Sequence, residues 1–155
     1  MKKRILAALA AAAISFCAVT VPASAADSEE WPYWPDVFGE DEFYSEKMPD
    51  LRPVYALGKD AVYQPGDVNM DGKIDTKDAY LMQLEYTCFT VSDGPHIFTR
   101  EQAALGDVWP GGDAIDMNDV LAVLQWYNFH DVTEATDMEL TEFVAYWVEN
   151  EALPV

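Results

Sequence analysis

Residues 66–129 contain a repeat, and a loop-plus-helix unit that occurs twice constrains the fold more than any other feature of the chain. Gly66-Asp67-Val68 is echoed by Gly106-Asp107-Val108, and Ile74-Asp75-Thr76-Lys77-Asp78 by Ile115-Asp116-Met117-Asn118-Asp119. The helical continuations, residues 79–86 and 120–127, both end in an aromatic at the same offset. The spacing is 40 residues at the loop start and 41 from the isoleucine onward, so one residue is inserted within the second loop. The expected fold class is all-α, built from two loop-helix units.

The first loop has a pattern that suits a hard cation. Counted from Asp67 as position 1, Asn69 stands at 3, Asp71 at 5, Gly72 at 6, Asp75 at 9 and Asp78 at 12, the spacing of an EF-hand calcium loop. Calcium takes about six to eight oxygens, and a loop curled around it turns alternate side chains inward. Asp67, Asn69 and Asp71 supply three side chains and the Lys73 carbonyl a further oxygen, while Gly72 allows the sharp turn. Asp75 coordinates directly or through water, and Asp78, in the first turn of the following helix, closes the site. EF-hands usually close with Glu, so the shorter Asp78 implies a slightly different closure. Ile74 and Ile115 are expected to bring the two loops together through a short backbone pairing.

The second loop is less regular, because Trp109 and Pro110 stand where ligands belong. Aligned at both ends, it still offers Asp107, Asp116 and Asp119, with Asp113 placed to replace the missing fifth-position ligand and Gly111-Gly112 giving the backbone freedom to do so. The alternative is a calcium-free structural copy.

Residues 1–25 form an expected export signal: Lys2, Lys3 and Arg4, an apolar run, then Ala23-Ser24-Ala25 before the cut. Phe16 before Cys17 argues against a lipoprotein. Cleavage would leave 6 basic residues against 28 acidic ones, a formal charge of −22. That charge repels nucleic acid and anionic membranes and suits divalent cations. Cys88 alone would remain, so no internal disulfide staples the exported chain, and a metal is the obvious substitute cross-link.

The flanking sequence is sparser in signals. Residues 26–65 hold acidic residues, prolines and scattered aromatics, including Trp31, Tyr33, Trp34, Phe38, Phe43 and Tyr44, and are expected to form an irregular arm or linker. Its tryptophans either stack on sugar rings or, the favoured reading, pack over a C-terminal helix. Ser92-Asp93-Gly94-Pro95 signals a turn, and Thr99 with Gln102 caps a short helix reaching about Leu105. In residues 131–155, Thr136 is the expected cap of a last helix with Leu140, Phe143, Val144, Trp147 and Val148 on one face. Cys88 is expected to be a small buried or half-buried hydrophobe. His96 and His130, each without a second ligand or nucleophile nearby, are expected at the surface.

Residues 66–130 resemble a type I dockerin, most specifically in Gly66-Asp67-Val68-Asn69-Met70-Asp71-Gly72-Lys73-Ile74-Asp75 and Asp78, and depart from that family at residues 109–113. The resemblance implies a secreted, calcium-dependent docking module that binds a cohesin on a scaffoldin in a cellulosome-type, polysaccharide-degrading assembly. It implies receptor contacts at Thr76, Lys77, Gln83 and Leu84 in the first copy and at Met117, Asn118, Leu124 and Gln125 in the second. Thr-Lys against Met-Asn makes the two faces chemically unequal, so one docking orientation is expected to be preferred. Attachment is expected rather than hydrolysis, since the stretches outside the module are short for a substrate cleft. Polysaccharide would be met only indirectly or through the arm. The alternative is a secreted, calcium-stabilised carbohydrate-binding or cell-surface protein that does not use cohesins.

Overall fold

The computed structural model describes residues 31, 33, 35, 36, 50–112 and 114–153. The expected export signal lies outside them, as do Trp34, Phe38, Phe43, Tyr44 and Asp113. Within the described residues the architecture is all-α, with helices α1 (Thr76–Glu85), α2 (Arg100–Gly106), α3 (Met117–Tyr127) and α4 (Leu140–Asn150). Among the described residues a single parallel bridge, between Tyr33 and His96, stands in place of any sheet.

α1 and α3 begin identically. Asp75 and Asp116 hold extended backbone and accept from the N–H groups of Lys77 and Asn118, while Asp78 and Asp119 reach back to the N–H groups of Asp75 and Asp116. These are reciprocal capping boxes, and an N-cap of this kind is worth about 1 kcal/mol. Both helices then widen into π-helical turns, Tyr86–Val91 and Asn128–Val132. Both exit through a non-glycine residue in the left-handed region, Asp93 (φ 52°) and Glu134 (φ 51°). Caps and exits are each 41 residues apart, so the correspondence continues past Phe129, where the sequence pattern ends.

The repeated glycines have a packing reason. A Cβ on Gly66 would press on Leu140 and Ile74, and one on Gly106 would land on Ile115. Each glycine therefore makes room for the isoleucine of its own loop, and both isoleucines enter one core with Val68, Leu81, Val123 and Phe143. No backbone bridge joins Ile74 to Ile115 among the described residues, contrary to the expected loop pairing. Gly66 instead donates to the Leu105 carbonyl at the end of α2 (2.6 Å), and the loops meet through side chains.

α1 packs on α3, and α3 on α4. α2 starts at the expected Thr99–Gln102 box. α4 starts later than expected, after Glu139, with no side-chain cap. Trp126 Nε1 donates to the Met138 carbonyl (2.8 Å) and Thr136 Oγ1 accepts from the Met138 N–H (3.2 Å), which holds this segment as a turn before the helix begins. Leu140, Phe143 and Val144 are buried and Trp147 half-buried, whereas Val148 is exposed. No helix among the described residues is long and apolar enough to cross a membrane.

Candidate metal centre

The first loop is curled by two left-handed residues, Met70 (φ 57°) and Gly72 (φ 87°). The turn brings backbone N–H groups onto the acidic side chains. Asp67 accepts from Asp71 N (3.1 Å) and Gly72 N (3.0 Å), and Asn69 Oδ1 also accepts from Asp71 N (2.8 Å). Asp71 accepts from Lys73 N (3.1 Å). Asp78 ties the loop to its helix by accepting from Asn69 N (3.2 Å) and Asp75 N (2.9 Å). Asp67, Asn69 and Asp78 are buried, Asp71 and Asp75 half-buried, and Lys73 is exposed.

This arrangement concentrates negative charge that backbone N–H groups offset only in part. Burial raises the Asp67 pKa, against the pull of the Gly72 and Asp71 N–H groups, and the neighbouring Asp71 charge adds to the rise. Burial pushes Asp78 from 3.8 up to about 7, opposed by the Asp75 and Asn69 N–H groups and reinforced by the charges of Asp67 and Asp75. Among the described residues no Lys, Arg or His forms an ion pair with Asp67, Asp71, Asp75 or Asp78. An anionic pocket in low dielectric calls for a cation or for protons.

The donors fit a hard cation in kind. Asn69 Nδ2 is buried with no hydrogen-bond partner. A half-turn of that amide would put Oδ1 in the unpartnered position, where a cation would satisfy it, while Asp67 keeps the Asp71 N–H. The carboxylates, however, are turned onto the backbone: no three His, Cys, Asp or Glu side chains among the described residues converge into a ready cage. Asp67, Asn69, Asp71, Asp75, Asp78 and the Lys73 carbonyl would therefore hold an ion only after these side chains rotate off the backbone.

The second loop retains the two ends of this arrangement and has a different middle. Asp119 is buried and accepts from Val108 N (2.8 Å), Trp109 N (2.7 Å) and Asp116 N (2.7 Å), and burial raises its pKa. Asp116 accepts from Asn118. Asp107, the counterpart of buried Asp67, is exposed. Trp109, the counterpart of Asn69, sends its indole edgewise onto Trp147 of α4 (centroids 5.1 Å apart). An apolar anchor thus replaces an oxygen donor, and Asp113 lies outside the described residues.

No family model matches the chain, and no curated protein or solved structure is significantly similar to it.

Of the expected contact residues, Thr76, Lys77, Gln83, Met117, Asn118 and Leu124 are exposed on the outer faces of α1 and α3. Leu84 and Gln125 are half-buried, and Leu84 packs against the core. Tyr80 (49 % exposed) and Leu121 (42 %) lie on the same faces one turn from these residues and occupy equivalent places in the repeat. On the same helices Leu81 and Val123 are buried.

The histidines are not the isolated surface residues the sequence suggests. His96 is buried, its Nδ1 lies 2.5 Å from Glu85 Oε1, and its ring is stacked between Trp31 and Phe89, each at 3.6 Å. Glu85 Oε2 accepts from Ile97 N (2.8 Å) and Phe98 N (3.0 Å), so one buried carboxylate organises the whole turn before α2. His130 is half-buried against Trp126 and pairs with Asp131. Trp31 stacks on His96 and its Nε1 donates to the Phe98 carbonyl, partners other than the C-terminal helix expected for the arm. Cys88 is half-buried, and burial raises its pKa.

Proposed function

We propose that this chain is an exported, non-catalytic docking module whose first loop binds structural calcium and whose α1 and α3 faces engage a cohesin-type receptor. The observation that carries the reading is the buried carboxylate pair Asp67 and Asp78, held by a loop of oxygen donors with no cationic side chain among the described residues paired to it. A divalent ion would relieve that repulsion, satisfy Asn69 and lock the loop to α1 through Asp78. The second loop would contribute mainly structure, through Trp109, with any ion there held by Asp107, Asp113, Asp116 and Asp119. Because α1 packs on α3, locking one loop-helix unit steadies the surface on both.

The receptor face is proposed at Thr76, Lys77, Tyr80 and Gln83 on α1, with Met117, Asn118, Leu121 and Leu124 on α3. These side chains put apolar area beside one lysine on a chain whose exported form carries a formal charge of −22. A partner surface that is apolar at its centre and acidic opposite Lys77 fits that face. Titrating the chelator-treated chain with calcium tests the ion: saturable binding accompanied by a rise in melting temperature is expected, and no heat and no stabilisation at millimolar calcium would refute it.

A further inference from the structure

We propose that residues 51–63 form a strap that sets the calcium affinity of the first loop, with Gln102 as its positioning residue. The inference rests on the calcium reading of that loop. Three consecutive loop carbonyls are tied down from outside: Val68 O accepts from Gln102 Nε2 (3.0 Å), Asn69 O from Val54 N (2.8 Å) and Met70 O from Ala56 N (3.0 Å). They belong to the stretch that carries Asn69 and leads into Asp71, so fixing these peptide planes fixes where two of the donor side chains start.

Gln102 also ties the strap to the loop. The same Nε2 donates to Leu51 O (2.9 Å), while Oε1 accepts from Thr99 N (3.2 Å). Gln102 is fully buried, as Leu51 nearly is, so losing this amide would strand two carbonyls away from water. The far end of the strap is braced by Tyr63, whose hydroxyl accepts from Leu57 N (3.0 Å) and donates to Gly58 O (3.2 Å). Leu57 then lies over Gly72, within ordinary contact of where a Cβ would stand.

Met70 shows why the loop needs this support. A non-glycine residue at φ 57° is disfavoured, and its conformation persists only where its surroundings hold it. The Ala56 hydrogen bond and complete burial of the Met70 side chain supply that restraint. Strap docking and ion binding therefore favour the same loop geometry, and each strengthens the other by linkage. In the second loop Asp119 holds the Trp109 N–H as Asp78 holds that of Asn69, and the stretch is anchored further by the Trp109 contact with α4.

The test is calcium titration of the full chain and of Gln102→Met, which keeps the length and removes the donors, together with hydrogen exchange of the wild type in calcium and in chelator. Gln102→Met should retain its helical circular dichroism and bind calcium at least tenfold more weakly. In the wild type, calcium should slow exchange at Val54 and Ala56 along with Asp71 and Gly72. A folded Gln102→Met with wild-type affinity would overturn the coupling and leave the calcium loop standing. Should the variant not fold, the exchange data decide: slowing confined to the loop, with Val54 and Ala56 unchanged, would overturn it equally. A wild-type chain that binds no calcium would overturn the calcium reading and the coupling with it.

Discussion

Acidifying the calcium-free protein from pH 7 to pH 5 should stabilise it, the reverse of ordinary acid denaturation. The cause is Asp78, which burial raises from 3.8 to about 7. A carboxyl whose pKa is higher folded than unfolded contributes stability that is complete below its unfolded value and lost as pH rises through its folded one. The window therefore runs from 3.8 to about 7. Across it the contribution amounts to about 4 kcal/mol, of which about 2 kcal/mol falls between pH 5 and pH 7. Asp67 and Asp119 are raised as well and act in the same direction. For a domain of this size the change corresponds to a melting temperature about 10 °C higher at pH 5. Calcium reverses the sign, because the ion holds Asp78 ionised and protons then compete with it. Thermal unfolding in excess chelator and in millimolar calcium, at both pH values, provides the assay. A chelated protein that loses stability on acidification would refute the reasoning, as would an Asp78→Asn variant that keeps the full wild-type slope.

Other perturbations separate ion, face and scaffold. Asp71→Ala should weaken calcium binding and receptor binding together, and retained receptor affinity in a calcium-free variant would break the proposed linkage. Lys77→Ala should leave calcium affinity and circular dichroism unchanged while lowering receptor affinity, since Lys77 is exposed and its backbone N–H alone serves the α1 cap. Glu85→Ala should destabilise by about 3 kcal/mol in denaturant titration, because it strands His96 and two buried N–H groups. Gly106→Ala should cost about 1–3 kcal/mol by forcing a methyl against Ile115, and a neutral effect would mean that the loop and core separate easily.

The parts legible in the sequence are those whose physics is local. The Thr99–Gln102 pair announces α2, since the motif completes its own hydrogen bonds within four residues, and the repeated apolar runs after Asp78 and Asp119 announce α1 and α3. The donor spacing of the first loop is legible for the same reason. Features that depend on distant partners are not. Glu85 and His96 are joined across 11 residues of sequence, and Gln102 reaches Leu51 across 51, so neither looks unusual in its own neighbourhood. Thr136 resembles a helix cap, but Trp126 captures the Met138 carbonyl and delays α4. In residues 51–63, hydrogen bonds run outward to loop carbonyls rather than along a regular element, leaving no hydrophobic period to read. Trp109 stands out in the sequence as an intruder among ligands, and its packing role depends on Trp147, a partner 38 residues away.

The most direct test of calcium-dependent docking is isothermal titration of the chain against a panel of cohesins, in calcium and again in excess chelator. The account predicts saturable binding to at least one cohesin in calcium and its loss in chelator. Calcium-loaded protein that binds none of them, or binding that persists unchanged in chelator, would contradict it.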